Sequence, residues 1–511
     1  MTSAVTQPGS QTSESSNPVG RCTDPPFAPQ VKSNLGLGRV IAEKLSFEYI
    51  VSQHGQAYVV KCDGGNTYVY RISSRKFRNV IREMACIEGI SLRKQELTDI
   101  IEMLSHHAEE VGERRDVFYR VAPIEDGIEI DCGDANHTRI QVTAGKVEII
   151  KHGSQVLFER TGSMEAMVMP AERGDLNRLR AYVNFDPVQF QLFIAWLSYT
   201  LAHPKISSTK YQHLVLMGDQ GTGKSLIARL IIALIDPSRV GLQAFPKQEK
   251  DLVAIIKDAH LRCFDNMRSI RDDMADLLCI ASTGGASGSR ALYTDSDLHV
   301  DSIHGPLVLN SIHRVIEQSD LAQRCLCLQT QAMPESSRKS EGAMMREFEA
   351  DLPFIFRGLL DVIAEVQNHL SDAEIVNPER MLDFVRWLAA MEKAKGIPAG
   401  IFQIEYSQSL RHGQLDSLLD NLLAATLLQF AETALTNGHW RGTPSGLLDE
   451  LESRLSPSTI RSADWPKNPI ALSKRLNLLK ADLFSQGIQL EFSRGKNRLI
   501  TLTNQNFKNG E

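Results

Sequence analysis

The stretch that decides how this chain is read runs HLVLM (213–217), GDQGTGKS (218–225), LIARLIIALI (226–235). The first five, four of them apolar, read as a buried strand, and the ten after the loop, rich in good helix formers, read as a helix. The eight residues between them fit GxxxxGK[ST] in the strand-to-helix context that motif requires. Gly218, Gly221 and Gly223, with Thr222 between the last two, let the backbone curl so that successive N–H groups face phosphate oxygens. The start of the helix adds positive potential. Lys224 is placed to reach the β- and γ-phosphates and Ser225 to ligate magnesium, so ATP and Mg2+ are the expected ligands.

Working outward, in the next strand, AHLRCFDNM (259–267), hydrophobic residues lead to Asp265, a carboxylate positioned to serve the metal directly or through water. Asn266 follows, where many ATPases carry a glutamate that polarises the attacking water, and this departure argues for slow hydrolysis or a base supplied elsewhere. A third strand, GPLVLNS (305–311), ends near Asn310, whose amide can orient a water beside the γ-phosphate. One short helix later comes Arg324, placed like a guanidinium that acts on a neighbouring subunit's phosphoryl group. Between the second and third strands lies STGGASGSRALYTDSDLHVD (282–301), too rich in glycine and small residues for a core. Arg290, Tyr293, Thr294 and Asp295 lie at its turn, which reads as a nucleic-acid contact loop or a lid.

The 511 residues, 42% hydrophobic and 23% charged, leave room for two to four ordinary globular domains. A formal net charge of −6 excludes a chain that is basic throughout, so nucleic-acid contacts fall to local patches. Eight cysteines without a CxxC pair suit neither a disulfide framework nor a zinc site, and read as reduced thiols of a cytoplasmic protein. The first twenty residues lack the basic start and apolar run of a signal peptide, and LFIAWLSYTLA is too short to span a bilayer, so no membrane contact is expected.

Along the chain, residues 1–35 have the composition of a disordered tail. Residues 36–184 read as an α+β accessory domain. QAYVVKC and NTYVYRI form a hairpin about Asp63-Gly64-Gly65, SLRKQELTDIIEMLSHHAEEV (91–111) forms a serine-capped helix, and five short strands follow. His106, His107 and Asp131 read as surface and strand-end residues, with no carboxylate cluster for a primase centre. Residues 185–333 form the α/β core and 334–438 a helical region.

The last unit is 439–505, and from Arg441 to Glu511 the chain carries eleven lysines and arginines against seven acidic residues. Its helix, turn, helix, hairpin order is that of a winged helix. Lys474 and Arg475 fall on the recognition helix and Arg494, Lys496 and Arg498 on the wing, suited to phosphate contacts.

Taken together, GDQGTGKS, FDN, the STGG to RALYTD loop, LVLNS and DLAQR resemble, in order and spacing, the ATPase core of superfamily III-like helicases, especially the phage and plasmid primase-helicase branch and its relatives in integrated elements. The resemblance covers about residues 186–370. It implies a P-loop NTPase core of AAA+ type assembled as a homo-oligomeric ring, a hexamer in that family. Lys224 and Ser225 would hold nucleotide and metal, Asp265 the metal, Asn310 would be the sensor and Arg324 the trans-acting finger, while the loop from Arg290 to Asp295 would face DNA. The function it implies is an ATP-dependent DNA helicase replicating a phage, plasmid or integrated element, on single-stranded or forked DNA; since the N-terminal domain offers no carboxylate cluster for a primase centre, priming falls to a separate polypeptide. A DNA-bound ATP switch or scaffold with slow hydrolysis is the alternative that Asn266 favours. A small-molecule kinase lacks a visible acceptor site and leaves the basic C-terminal unit unexplained.

Overall fold

The computed structural model describes residues 47–290, 298–312, 315–316, 318–332, 340–433, 438–493 and 499–505. The expected tail over 1–35, and Tyr293, Thr294, Asp295, Arg494, Lys496 and Arg498, lie outside them.

The expected hairpin is present. Ala57–Asp63 pairs antiparallel with Asn66–Arg71, and Gly64 and Gly65 turn the chain at φ 58° and 82°. That double left-handed turn matches the right-handed twist of the flanking strands. Glu48–Val51 and Glu113–Arg114 complete a four-stranded sheet. Two helices cover it: Lys94–Val111, and Arg75–Ile87, which the sequence reading left out. The expected serine cap on the longer helix is corrected. Its first residue is Lys94, and the Arg93 N–H donates to Glu96 Oε2 at 2.8 Å, so a carboxylate satisfies the helix start and Ser91 lies outside it. A second sheet is an antiparallel meander of Val121–Ile124, Gly127–Asp131, Arg139–Thr143 and Lys146–Ile150.

The central sheet has five parallel strands, labelled here β1 (His213–Met217), β2 (Gln243–Ala244), β3 (Arg262–Met267), β4 (Leu307–Ser311) and β5 (Cys325–Gln329), in the order β2-β3-β4-β1-β5. Its helices are α1 (Pro187–Ala202), α2 (Lys224–Ile235), α3 (Glu249–Lys257), α4 (Asp272–Thr283) and the single turn α5 (Ser319–Ala322). Parallel strands joined by helical crossovers bury both sheet faces, which is why β1 and β4 are apolar without alternation. In such a sheet, loops at the carboxyl ends of the strands form the binding crevice.

Asp186 caps α1 by accepting from the Val188 and Gln189 N–H groups, with Pro187 at the first helical position. From Leu192 to Ala202 this helix is buried all round, so it needs a layer on each side. The sheet is one. The other is α6 (Glu341–Gln367), α7 (Leu382–Ala394) and α8 (Ile401–Asp420), whose Phe356, Leu360, Phe384, Trp387 and Tyr406 share one hydrophobic cluster with α1 and α2. The helical region after Pro334 is thus continuous with the core of the α/β unit.

Four histidines are built into this interior as neutral rings bonded to backbone carbonyls. His203 meets Tyr199 O (2.7 Å), His213 Leu278 O (2.9 Å), His260 Thr200 O (2.9 Å) and His304 Thr209 O (3.1 Å). Burial lowers the first three to a pKa of about 4 and His304 to about 3. The unfolded chain, at about 6.5 per histidine, therefore takes up protons that the folded chain refuses. Stability is full above pH 6.5 and falls as pH drops from there towards 4. Thermal melts across pH 4–8 are expected to trace this loss, and His213→Gln, which removes one of the four groups, is expected to reduce it by about a quarter; a midpoint level from pH 7 to 4.5 would contradict it.

The C-terminal unit begins earlier than residue 439. Helix α9 (Leu422–Thr433) packs Leu423, Leu427 and Phe430 into the cluster of Leu447, Trp465, Leu472, Leu476, Ile488 and Leu502, which buries its apolar face. The expected closing pair, Ile488–Phe492 with Ile500–Asn504, gains a third strand, His439–Gly442. Helices Pro444–Glu452, Pro457–Arg461 and Pro469–Ser485 lie between. Among the described residues no helix is long and apolar enough to cross a membrane.

Candidate functional site

The loop between β1 and α2 takes its shape from glycines in backbone regions that side chains avoid. Gly218, Gly221 and Gly223 have φ of 142°, 82° and 83°. At Gly218 there is also no room, since a Cβ would lie 2.3 Å from Thr330 Oγ1. Neighbours that the sequence reading missed hold the loop in place. Thr330 Oγ1 bonds Thr222 Oγ1 at 2.7 Å and donates to Met217 O at 2.9 Å. Asn184 Nδ2 donates to Thr222 O at 2.9 Å and also to Gln331 O. Thr330 follows the edge strand β5 and Asn184 precedes α1, so no short motif announces either.

Within the loop, Lys224 Nζ donates to Gly218 O (2.8 Å) and Asp219 O (2.7 Å). Its side chain is nearly buried, and burial lowers its pKa against the opposing pull of Asp219 and Asp265. The ammonium is thus held at the loop's centre by carbonyls, positions from which an anion can compete for it.

Three side chains from three elements meet beside it. Ser225, on the first turn of α2, donates its hydroxyl to Asp265 Oδ1 at 3.2 Å. Asn310, near the end of β4, donates Nδ2 to that same oxygen at 2.5 Å and to Ser225 Oγ at 3.2 Å. The Asn266 N–H adds a third contact to Asp265 Oδ1 at 2.8 Å. The register explains the meeting: Leu216 lies opposite Asn310, Phe264 opposite Leu309, and the pairing shifts between Phe264 and Met267. In that bulge Asn266 is at φ 55° with its side chain exposed. Asparagine tolerates this backbone far better than glutamate, so the residue type follows in part from the chain path.

Arg324 is elsewhere. It precedes β5, and Cys325 pairs with His213 at the start of β1, so the length of the sheet, about 17 Å, separates it from its own glycine loop. A role on this chain's own loop is excluded by that distance. Its Nη1 pairs with Asp320 Oδ2 at 2.5 Å and donates to Asp320 O at 2.8 Å, while Nε is buried without a hydrogen-bond partner. Asp320 also takes Arg380, and its carboxyl is held down at about 2 against the opposing effect of partial burial.

The loop over 282–301 has the two arms expected of it. Gly285–Arg290 pairs antiparallel with Leu298–Ile303, with Arg290 opposite Leu298 at the last described pair. In the C-terminal unit, Lys474 is exposed on the helix Pro469–Ser485. Arg475 is turned back, donating to the carbonyls of Asp464 and, at 3.5 Å, Ala463, so it braces the turn beneath the helix. Ile470, Leu478 and Phe484 also stand exposed on this helix, an apolar component the sequence reading did not single out.

Fold and site together define a mixed α/β protein with a parallel five-stranded sheet and a glycine loop, a lysine, a hydroxyl, a carboxylate and an amide at its carboxyl ends. Residues 176–412 match the family model for the actinomycete integrative conjugative element replication protein, and residues 423–509 match that of the RepA C-terminal domain of the same elements. The chain belongs to this family of element replication proteins. Among solved structures, SCCmec type IV Cch, described as an active helicase, is 10% identical over 90% of this chain and 92% of its own, with a TM-score of 0.43. The A form apo structure of the NrS-1 C-terminal region is 15% identical over 92% of this chain and 100% of its own, at 0.38. At such scores neither likeness bears on activity. The comparison with curated proteins finds no match.

Proposed function

We propose that this replication protein is a magnesium-dependent ATPase that acts on DNA as a helicase-like motor. The observation that carries the reading is the meeting of Ser225, Asp265 and Asn310 beside Lys224, at the carboxyl ends of adjacent parallel strands. The donors suit magnesium: a hydroxyl and a carboxylate are hard oxygens, and this ion usually takes one or two carboxylates and completes its shell with phosphates and water. Among the described residues no group of three His, Cys, Asp or Glu could hold a metal by itself, which fits a site completed by a nucleotide.

When bound, magnesium would neutralise charge developing on the phosphates. The chain's own residues do the rest. Loop N–H groups bind the phosphates, Lys224 leaves its carbonyl partners for them, and Asn310 holds the Asp265 carboxylate against Ser225. Arg324, remote from its own loop, supplies its guanidinium to a neighbouring copy in a ring. The C-terminal unit is a winged helix that holds DNA by phosphate contacts, and the hairpin carrying Arg290 faces DNA as well. A cytoplasmic setting and a separate priming protein complete the proposal.

A second reading, a DNA-bound switch with slow hydrolysis, is favoured by one feature: the backbone at Asn266 disfavours a glutamate there. Strand displacement on forked DNA, run beside ATP hydrolysis with and without DNA, separates the two. ATP-dependent displacement with DNA-stimulated hydrolysis is expected. Slow, unstimulated hydrolysis without displacement would leave the switch.

For the winged helix, Lys474→Ala is expected to weaken DNA binding a few-fold and to shallow the salt dependence by about one phosphate's worth of slope. Anisotropy at several salt concentrations reads both, and an unchanged slope would assign this helix, with its exposed Ile470, Leu478 and Phe484, to protein contacts. A truncation testing the whole unit has to start before Leu422, since one at Trp440 would strip cover from Leu423, Leu427 and Phe430.

A further inference from the structure

A buried ion pair joins the N-terminal unit to the far ends of the two elements that build the site. Arg120, between the strands Val117–Phe118 and Val121–Ile124, is fully buried and has φ 57°, a strained backbone for a long side chain. Its Nε donates to Asp236 Oδ1 at 2.9 Å, and its other nitrogens donate to Asp131 O (3.0 Å), Glu165 O (2.9 Å) and Pro237 O (3.3 Å). Gly133 leaves space for it, since a Cβ there would meet the guanidinium at 3.0 Å.

Asp236 ends α2, the helix that begins with Lys224 and Ser225. Its second oxygen, Oδ2, accepts from the N–H groups of His260 (2.9 Å) and Leu261 (3.2 Å), the residues that lead into β3 and so to Asp265. Helix α2 and strand β3 are therefore joined twice, at one end through Ser225 and Asp265 and at the other through Asp236. The distal joint is a buried carboxylate whose charge is balanced by Arg120.

We infer that Arg120 is a positioning residue of the magnesium–nucleotide site: acting through Asp236, it sets the spacing of α2 and β3 and with it the Ser225–Asp265 pair. The inference rests on the ATPase reading. It also makes the N-terminal unit, which lies before the family match begins at residue 176, a working part of the site. A buried carboxylate stripped of its counter-charge draws in water or a proton, and either loosens the joint. Removing both charges relieves that cost.

The full-length protein tests this with Arg120→Met, Arg120→Met/Asp236→Asn and, as a comparison, Arg71→Met. Arg71 also crosses to the core, at Asp258 (3.1 Å), without touching Asp236. Three quantities are read: binding of a fluorescent ATP analogue in EDTA, its dependence on Mg2+, and hydrogen exchange of the His260 and Leu261 amides. Arg120→Met is expected to raise the Mg2+ needed for half-saturation a few-fold, short of the roughly tenfold or more that follows loss of a group bonded directly to a metal ligand. Binding in EDTA should change little and the two amides should exchange faster. The double variant should recover most of the Mg2+ response, while Arg71→Met should lose thermal stability only.

A magnesium titration of Arg120→Met that overlays the wild type, once scaled to the folded fraction, would overturn the inference and leave the ATPase reading intact. If Arg120→Met does not fold, the double variant and Arg120→Lys decide by the same titration. Wild-type protein that shows no Mg2+-dependent binding would remove the reading itself, and the inference with it.

Discussion

Lys224→Ala is expected to lose ATP binding to below detection by calorimetry and turnover by at least about a hundredfold, while keeping its fold. The size follows from the number of bonds at stake. A hydrogen bond to a charged group contributes about 1.5–3 kcal/mol, and one ammonium serving two phosphate oxygens has two of them to lose. Two such losses reach two to four powers of ten in affinity. The fold should survive because Nζ meets only atoms of its own loop, Gly218 O, Asp219 O and, at 3.5 Å, Thr222 Oγ1, and water can serve the two carbonyls once the side chain is gone. Unchanged hydrolysis would remove the site assignment altogether.

Arg324→Ala is expected to cut turnover by about a thousandfold, the lower range for a guanidinium that stabilises phosphoryl transfer, and to leave ATP binding nearly intact. The sheet between Arg324 and its own glycine loop allows that effect only if the group acts on another copy. Mixing supplies the test. Arg324→Ala protein and Lys224→Ala protein, each inactive, should regain part of the activity together, because the second donates its arginine to the first protein's intact loop. Failure to regain any, or protein that stays monomeric with ATP and DNA, would end the trans role. Loss of the side chain should cost little stability, since Asp320 keeps its pair with Arg380 and is half exposed.

How far the sequence reaches depends on how far apart the interacting residues lie. The glycine loop, Lys224 and Ser225 are contiguous, so their relation is written in eight letters. Asp265 and Asn310 were placed by a weaker rule, a polar residue ending an apolar strand, and their bonds to Ser225 span 40 and 85 residues. Thr330 and Asn184 obey no such rule. Ser91 has the residue type of a cap, but the helix starts at Lys94 and Glu96 accepts from the Arg93 N–H instead. At Asn266, an apparent loss of chemistry is in part a backbone requirement, and only the φ angle of 55° discloses it.

By itself the sequence determined a strand, a glycine-rich turn and a helix, a carboxylate and an amide at strand ends, and a basic C-terminal unit. These are short-range patterns, in which periodicity and glycine placement state the local geometry. The tertiary structure alone decided that β1 lies between β4 and β5, that Arg324 is a sheet's length from its own loop, and that α1 takes its second cover from the helices after Glu341. It also decided that Arg120 meets Asp236 across 116 residues. Each of these depends on which buried surface finds which partner, and a charge or apolar face has no preferred partner until the chain has closed around it.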